Sequence, residues 1–202
     1  LPNTLAVTLV ERDPVVAWRV ADRRYLVDRD GLLFGALDGP APDGAPDLPV
    51  VTDDRGASRG LGVGSRLDPI DLDAATRLGS LTPAQVGSAA DAVSVVVNDE
   101  HGFTLQARPQ GWLAIFGFYT PTLRRTDLIP GQVRLLATLL AGREATVARV
   151  ILADADDGTY LPRPSAKPPT STKPAINAKP PASAKPPAGA KPPTSAEASG
   201  RP

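Results

Sequence analysis

The tetrapeptide Ala-Lys-Pro-Pro recurs at 166, 178, 184 and 190, the last three at a strict six-residue interval. Eleven of the 40 residues from Arg163 onward are proline, and large apolar side chains are almost absent. Proline carries no N–H for a helix or ladder, and a segment with so little to bury does not offset its ordering entropy. Residues 163–202 therefore read as a disordered Pro/Lys/Ala-rich tail of polyproline II character, extending at most about 3.1 Å per residue. Whatever folds must be built from residues 1–162, enough for one domain with a packed core.

Charge divides the chain at the same place. Residues 1–162 hold 15 Arg against 21 Asp and Glu, a net of −6; residues 163–202 hold five Lys, Arg163 and Arg201 against Glu197, a net of +6. The acidic body gives no reason to expect a nucleic-acid partner. The tail is first a solubilising spacer, and second a weak contact for anionic wall polymers or lipid headgroups. Without Cys there is no disulfide framework, thiolate nucleophile or zinc ribbon. The single His101 leaves no two-His metal site. The longest apolar stretches, such as 5–10 and 92–97, run about six residues, where a membrane span needs roughly 20. The chain begins with Leu1, shows no signal peptide and opens directly into a strand pattern, as expected of a continuation from an upstream portion.

Leu5, Val7 and Leu9 alternate with Thr4, Ala6 and Thr8, the period of a half-buried strand. Asp13-Pro14 interrupts it, and a second extended run follows at 15–20. Tyr25-Leu26-Val27 and Leu32-Leu33-Phe34 flank Asp28-Arg29-Asp30-Gly31, which predicts a hairpin with a type I turn. Residues 38–66, rich in Asp, Gly and Pro, read as one long surface loop. A short helix is expected over 71–81, capped by Asp71 or Asp73, with Leu72, Ala75 and Leu78 on one face. Another helical turn is expected at Thr82-Pro83.

Strands return at 92–97, 103–107 and 112–116 as an antiparallel meander. The 127–141 stretch, with Ile129, Val133, Leu136 and Leu140, predicts the longest helix, stopped by Gly142. Strands at 147–153 and 159–161 close the body. This order argues an α+β fold, an antiparallel or mixed sheet with two or three helices.

No constellation selects a reaction. His101 sits in the turn Asn98-Asp99-Glu100-His101-Gly102, an exposed hairpin tip rather than a triad member. Gly60-Leu61-Gly62-Val63-Gly64 has no Gly-Lys-Ser/Thr sequel and reads as a loop, not a phosphate cradle. The Asp28/Asp30/Gly31 and Asp154/Asp156/Asp157/Gly158 clusters lack the distal bidentate Glu of a calcium loop and read as turns. Twenty-one acids allow many carboxylate pairs, and nothing selects one for glycoside hydrolysis. No enzyme, cofactor or metal is expected.

The opening segment, Glu11-Arg12-Asp13-Pro14-Val15-Val16-Ala17-Trp18 with the strand before it, resembles the FtsQ/DivIB family of bacterial cell-division proteins. Tyr25 to Phe34 is similar to that family's valine–aspartate–x–x–glycine–x–x–phenylalanine hairpin, and Leu48-Pro49 matches the Leu-Pro after it. Gly111-Trp112-Leu113-Ala114-Ile115-Phe116-Gly117, the late helix and the final strand pair come in the family's order. Two motifs depart: Gln132 stands where the family often opens the late helix with Lys, and Val150-Ile151-Leu152-Ala153 replaces its Val-Asp-Leu-Arg, without the Asp and the Arg. The stretch 50–70 shows no counterpart.

The resemblance implies that residues 1–14 end a POTRA domain, 15–162 form an FtsQ-type β domain and 163–202 are the tail. It implies a single-pass membrane protein at the division septum, this region extracytoplasmic. There it is a non-enzymatic scaffold that binds FtsB/FtsL-type partners and helps control septal wall synthesis. Rival readings are a secreted cell-wall hydrolase or a POTRA-linked transport module with a wall-binding tail. Thr159-Tyr160-Leu161, the last strand before the tail, should leave one edge unpaired, and it carries no charge. That favours β-augmentation by a partner segment. In the resembling family this region receives the FtsB-type partner. Leu152, Thr159, Tyr160 and Leu161 are the candidate partner-binding residues.

Overall fold

A computed structural model describes residues 11–37, 39, 48–109 and 111–164. The strand expected at 4–9 and the repeats of the tail lie outside the described residues, as does most of the proposed 1–14 unit.

Nine strands form one mixed sheet in the order β3-β2-β1-β4-β5-β6-β7-β8-β9. They are β1 Pro14–Val20, β2 Arg23–Asp28, β3 Leu33–Leu37, β4 Val50–Asp53, β5 Ala92–Asn98, β6 Gly102–Arg108, β7 Leu113–Gly117, β8 Val147–Leu152 and β9 Gly158–Pro162. Two helices, α1 Pro69–Gly79 and α2 Ile129–Leu140, bridge β4 to β5 and β7 to β8, the parallel neighbours that need a crossover. The α+β class and the mixed sheet agree with the sequence.

The expected loop over 38–66 needs correction. It contains β4, which pairs parallel with both β1 and β5 and so joins the two halves of the sheet. A 3₁₀ turn, Gly56–Gly60, follows it. Four residues behind Pro49 offer too little alternation to register as a strand. Helix α1 starts earlier than expected because Asp68, not Asp71 or Asp73, is its N-cap: its Oδ1 accepts the Ile70 N–H at 2.8 Å, with Pro69 at N1.

The alternation along each strand decides which face is covered. Trp18, Val95, Phe103, Leu105, Phe116 and Val150 point to the side where α1 and α2 lie, and bury there with Leu78, Leu136 and Leu140. Thr52, Val96, Thr104, Ile115 and Ile151 make a row across the other face. Helix α2 presses closely on the turn before β9: a Cβ on Gly131 would come within 2.4 Å of the Ala155 Cβ.

Gln132 ties α2 to the ends of two strands. It is fully buried; its Nε2 donates to the carbonyls of Phe116 (3.3 Å) and Leu152 (3.1 Å), and its Oε1 accepts the Tyr119 hydroxyl at 2.8 Å. One amide thus closes the ends of the parallel pair β7/β8 with both a donor and an acceptor.

Candidate functional site

The two ends of the sheet differ. At the β3 end, the Leu33 N–H donates to Ser65 O (2.9 Å), Gly64 N–H to Leu33 O (2.7 Å) and Leu67 N–H to Gly31 O (2.9 Å), so the 64–67 segment covers the first part of that edge. The glycine-rich stretch is therefore an edge cover, with Gly64 at φ +93 making its turn. At the other end, β9 closes the strand order, and among the described residues no main-chain bond reaches its outer side.

Pairing with β8 sets which groups of β9 face outward. The Arg163 N–H donates to Thr146 O at 2.7 Å, and the Asp157 carbonyl accepts from Asp154 N–H at 2.9 Å, so odd-numbered residues turn toward β8. Alternation then directs the N–H and C=O of Gly158 and Tyr160 outward, with the carbonyl of Pro162. Pro162 brings no outward donor.

The side chains divide by face. Tyr160 pairs with buried Val150 and stands on the helix-covered side; Thr159 and Leu161 pair with Ile151 and Arg149 on the other. Tyr160 is 38% and Leu161 47% exposed. Leu152, by contrast, is 1% exposed, so its side chain belongs to the core, and its carbonyl accepts from Gln132 and Arg124. Three of the four candidate residues thus share the open strand, and Leu152 lies behind them.

Arg143 completes this edge, and sequence reasoning did not single it out. Gly142, at φ +70, ends the turn after α2, and the Arg143 guanidinium then lies 5.2 Å from the centroid of the Tyr160 ring. The only signal was a basic residue after a helix-stopping Gly. Its neighbour Glu144 accepts from Trp112 Nε1 (2.7 Å), the Ala89 N–H (3.0 Å) and the Ser88 hydroxyl. Burial pushes the Glu144 pKa up, but these donors outweigh it and hold the carboxyl below its usual value.

The two buried acidic side chains, Asp53 and Asp28, are engaged in structure. Asp53, at the end of β4, accepts from Trp18 Nε1 (3.2 Å), the Ser58 hydroxyl (2.6 Å), the Arg55 N–H (3.1 Å) and the Arg55 guanidinium (2.8 and 2.9 Å). Arg55 also pairs with Asp71 at 2.7 Å. Asp53 lines an open indentation of about 560 Å³ beside Arg23 and Arg59. Asp28 turns its own hairpin, accepting from the Asp30 (3.0 Å) and Leu32 (2.9 Å) N–H groups and from Arg12. His101 sits at the β5–β6 tip, its N–H donating to Asn98 Oδ1 at 2.7 Å.

Three curated proteins described as cell division protein FtsQ are similar to this chain. The Mycobacteroides abscessus protein is 54% identical over 50 residues, 25% of this chain and 16% of its own length. The Chloroflexus aurantiacus protein is 29% identical over 163 residues, 80% of this chain and 49% of its own. The Zymomonas mobilis protein is 35% identical over 71 residues, 35% of this chain and 19% of its own. The chain thus spans about half or less of the relatives it matches. No family model matches it.

Proposed function

We propose that the chain belongs to the FtsQ/DivIB family of bacterial cell-division proteins, as its likeness to three curated FtsQ proteins supports, and that its β domain is a non-enzymatic scaffold of the divisome. It holds FtsB/FtsL-type partners outside the membrane and helps control septal wall synthesis. No helix among the described residues is long and apolar enough to cross a membrane; the proposed single span belongs to the longer protein, upstream of this domain. The basic tail adds a weak contact with anionic wall or lipid.

The observation that carries the reading is the bare outer edge of β9. It has no charge from Gly158 to Pro162 and two exposed large side chains, on a sheet whose opposite edge is partly covered. A partner strand added there gains main-chain hydrogen bonds from Gly158, Tyr160 and Pro162, and side-chain selection on both faces.

The test is binding of the FtsB/FtsL-type proteins of the same bacterium to two variants that keep the parent circular dichroism. Tyr160→Ala should weaken binding by about 1–3 kcal/mol. Tyr160→Pro removes an outward donor without touching the β8 ladder and should abolish strand addition, whereas Thr159→Val should be tolerated. Parent-like binding by both Tyr160 variants contradicts the reading.

A further inference from the structure

The backbone of Arg143 is fixed on both sides. Its N–H donates to Leu140 O at 3.0 Å, and its carbonyl accepts from the Thr146 N–H (2.9 Å) and hydroxyl (2.8 Å). The side chain is exposed, and among the described residues no carboxylate lies within 4.0 Å of it, nor does its guanidinium take part in a hydrogen bond. Its guanidinium lies over the Tyr160 ring, on the helix-covered side of the open edge.

Local charge points the same way. The body is acidic overall, yet the flank of β9 toward its C-terminal end is lined by Arg143, Arg149 and Arg163, with no acid from 158 to 164. The acids, Asp154, Asp156 and Asp157, all lie at the turn before β9 begins. A docking strand therefore meets Arg143 beside Tyr160 on the helix-covered face, Arg149 beside Leu161 on the other, and carboxylates at the opposite end.

We propose that Arg143 selects a carboxylate on the partner: the added strand carries Asp or Glu where it faces Tyr160 on the helix-covered side, and apolar residues where it faces Leu161. This rests on the edge-strand reading above and deepens it. Main-chain bonds alone do not fix register, because a slip by two residues keeps every side chain on its face. One carboxylate paired with a guanidinium that the Tyr160 ring holds in place penalises each slipped register with an unpaired charge. Affinity comes from the backbone and register from Arg143.

The experiment selects yeast-displayed short random peptides against the full chain. Binders sensitive to Tyr160→Pro should alternate apolar residues and be enriched for Asp or Glu at one fixed position. Exchange of that acid for its amide should weaken binding about tenfold. Against Arg143→Gln the apolar alternation should persist while the acid preference disappears; against Arg143→Glu, Lys or Arg should take its place. Arg143 is exposed, so both variants should keep the parent circular dichroism. Binders that need Tyr160 but show no acid preference, or keep it on Arg143→Gln, overturn the role of Arg143 alone. A selection with no Tyr160-dependent binders overturns the edge-strand reading, and this inference with it.

Discussion

The indole Nε1 of Trp112 donates to Glu144 Oε1 at 2.7 Å, tying the entry of β7 to the turn that carries Arg143. The same carboxylate gathers Ser88 and Ala89, so two separate loops hold the turn beneath the open edge of the sheet. The proposed recognition side chain is exposed, and the turn that carries it is anchored through Glu144 to buried Trp112.

That anchor has a pH signature. Glu144 has a folded-state pKa below its ordinary 4.5, so its contribution is fully present above that value and is lost as pH falls through the lower, folded one. Glu144→Gln should lower the thermal midpoint at neutral pH, and its deficit against the parent should shrink as the pH falls below 4.5. Thermal melts of the two chains from neutral pH downward measure this directly. A deficit independent of pH would show that the charge of Glu144 contributes nothing.

Asp53 supports the other half of the sheet. Asp53→Ala leaves Arg55 with only Asp71 and strands the Trp18 N–H in the core, and should cost about 3–5 kcal/mol in urea denaturation. Ser58→Ala removes one donor from a carboxylate that keeps its others, and should cost only about 1 kcal/mol. Equal losses in the two variants would contradict a hub centred on the carboxylate.

Much of this was legible in the sequence, for reasons that individual elements make clear. The strands around Val16, Val95, Leu105 and Val150 announce themselves by alternation. The hairpin turn is encoded by Asp28 and Gly31: the Gly31 N–H donates to Asp28 O at 3.0 Å, and Gly31 sits at φ +80. Strand β4 was not legible, because it is four residues long and its pairing with β1 and β5 depends on contacts far away in the chain. At the site, the uncharged strand before a proline-rich tail pointed to an edge. Which N–H groups face outward was hidden, since the parity depends on a register that shifts between Val147 and Arg149. Arg143 was hidden too, because nothing local links it to Tyr160.

Gln132 makes a third prediction. Gln132→Leu leaves the Phe116 carbonyl and the Tyr119 hydroxyl without their buried partner, and should cost about 1–3 kcal/mol in urea denaturation. Tyr119→Phe on the Gln132→Leu background should cost less than it does alone, since the bond is already gone. Strict additivity of the two would show that the bond carries no stability.

The composition of the tail predicts that truncation after Pro164 changes stability by no more than about 0.5 kcal/mol. Arg163 should be retained, because its N–H donates to Thr146 O and its Nε donates to Val147 O at 3.1 Å. A thermal midpoint several degrees lower would show that the tail packs on the body.

Amide hydrogen exchange at Tyr160, in the chain alone and mixed with the proposed FtsB/FtsL-type partners, tests the edge-strand account most directly. The Tyr160 N–H should exchange fast in the free chain and become protected on binding, while Thr159 and Leu161, already turned to β8, change little. A complex that forms and leaves Tyr160 exchange untouched would place the partner elsewhere on the domain and contradict the account.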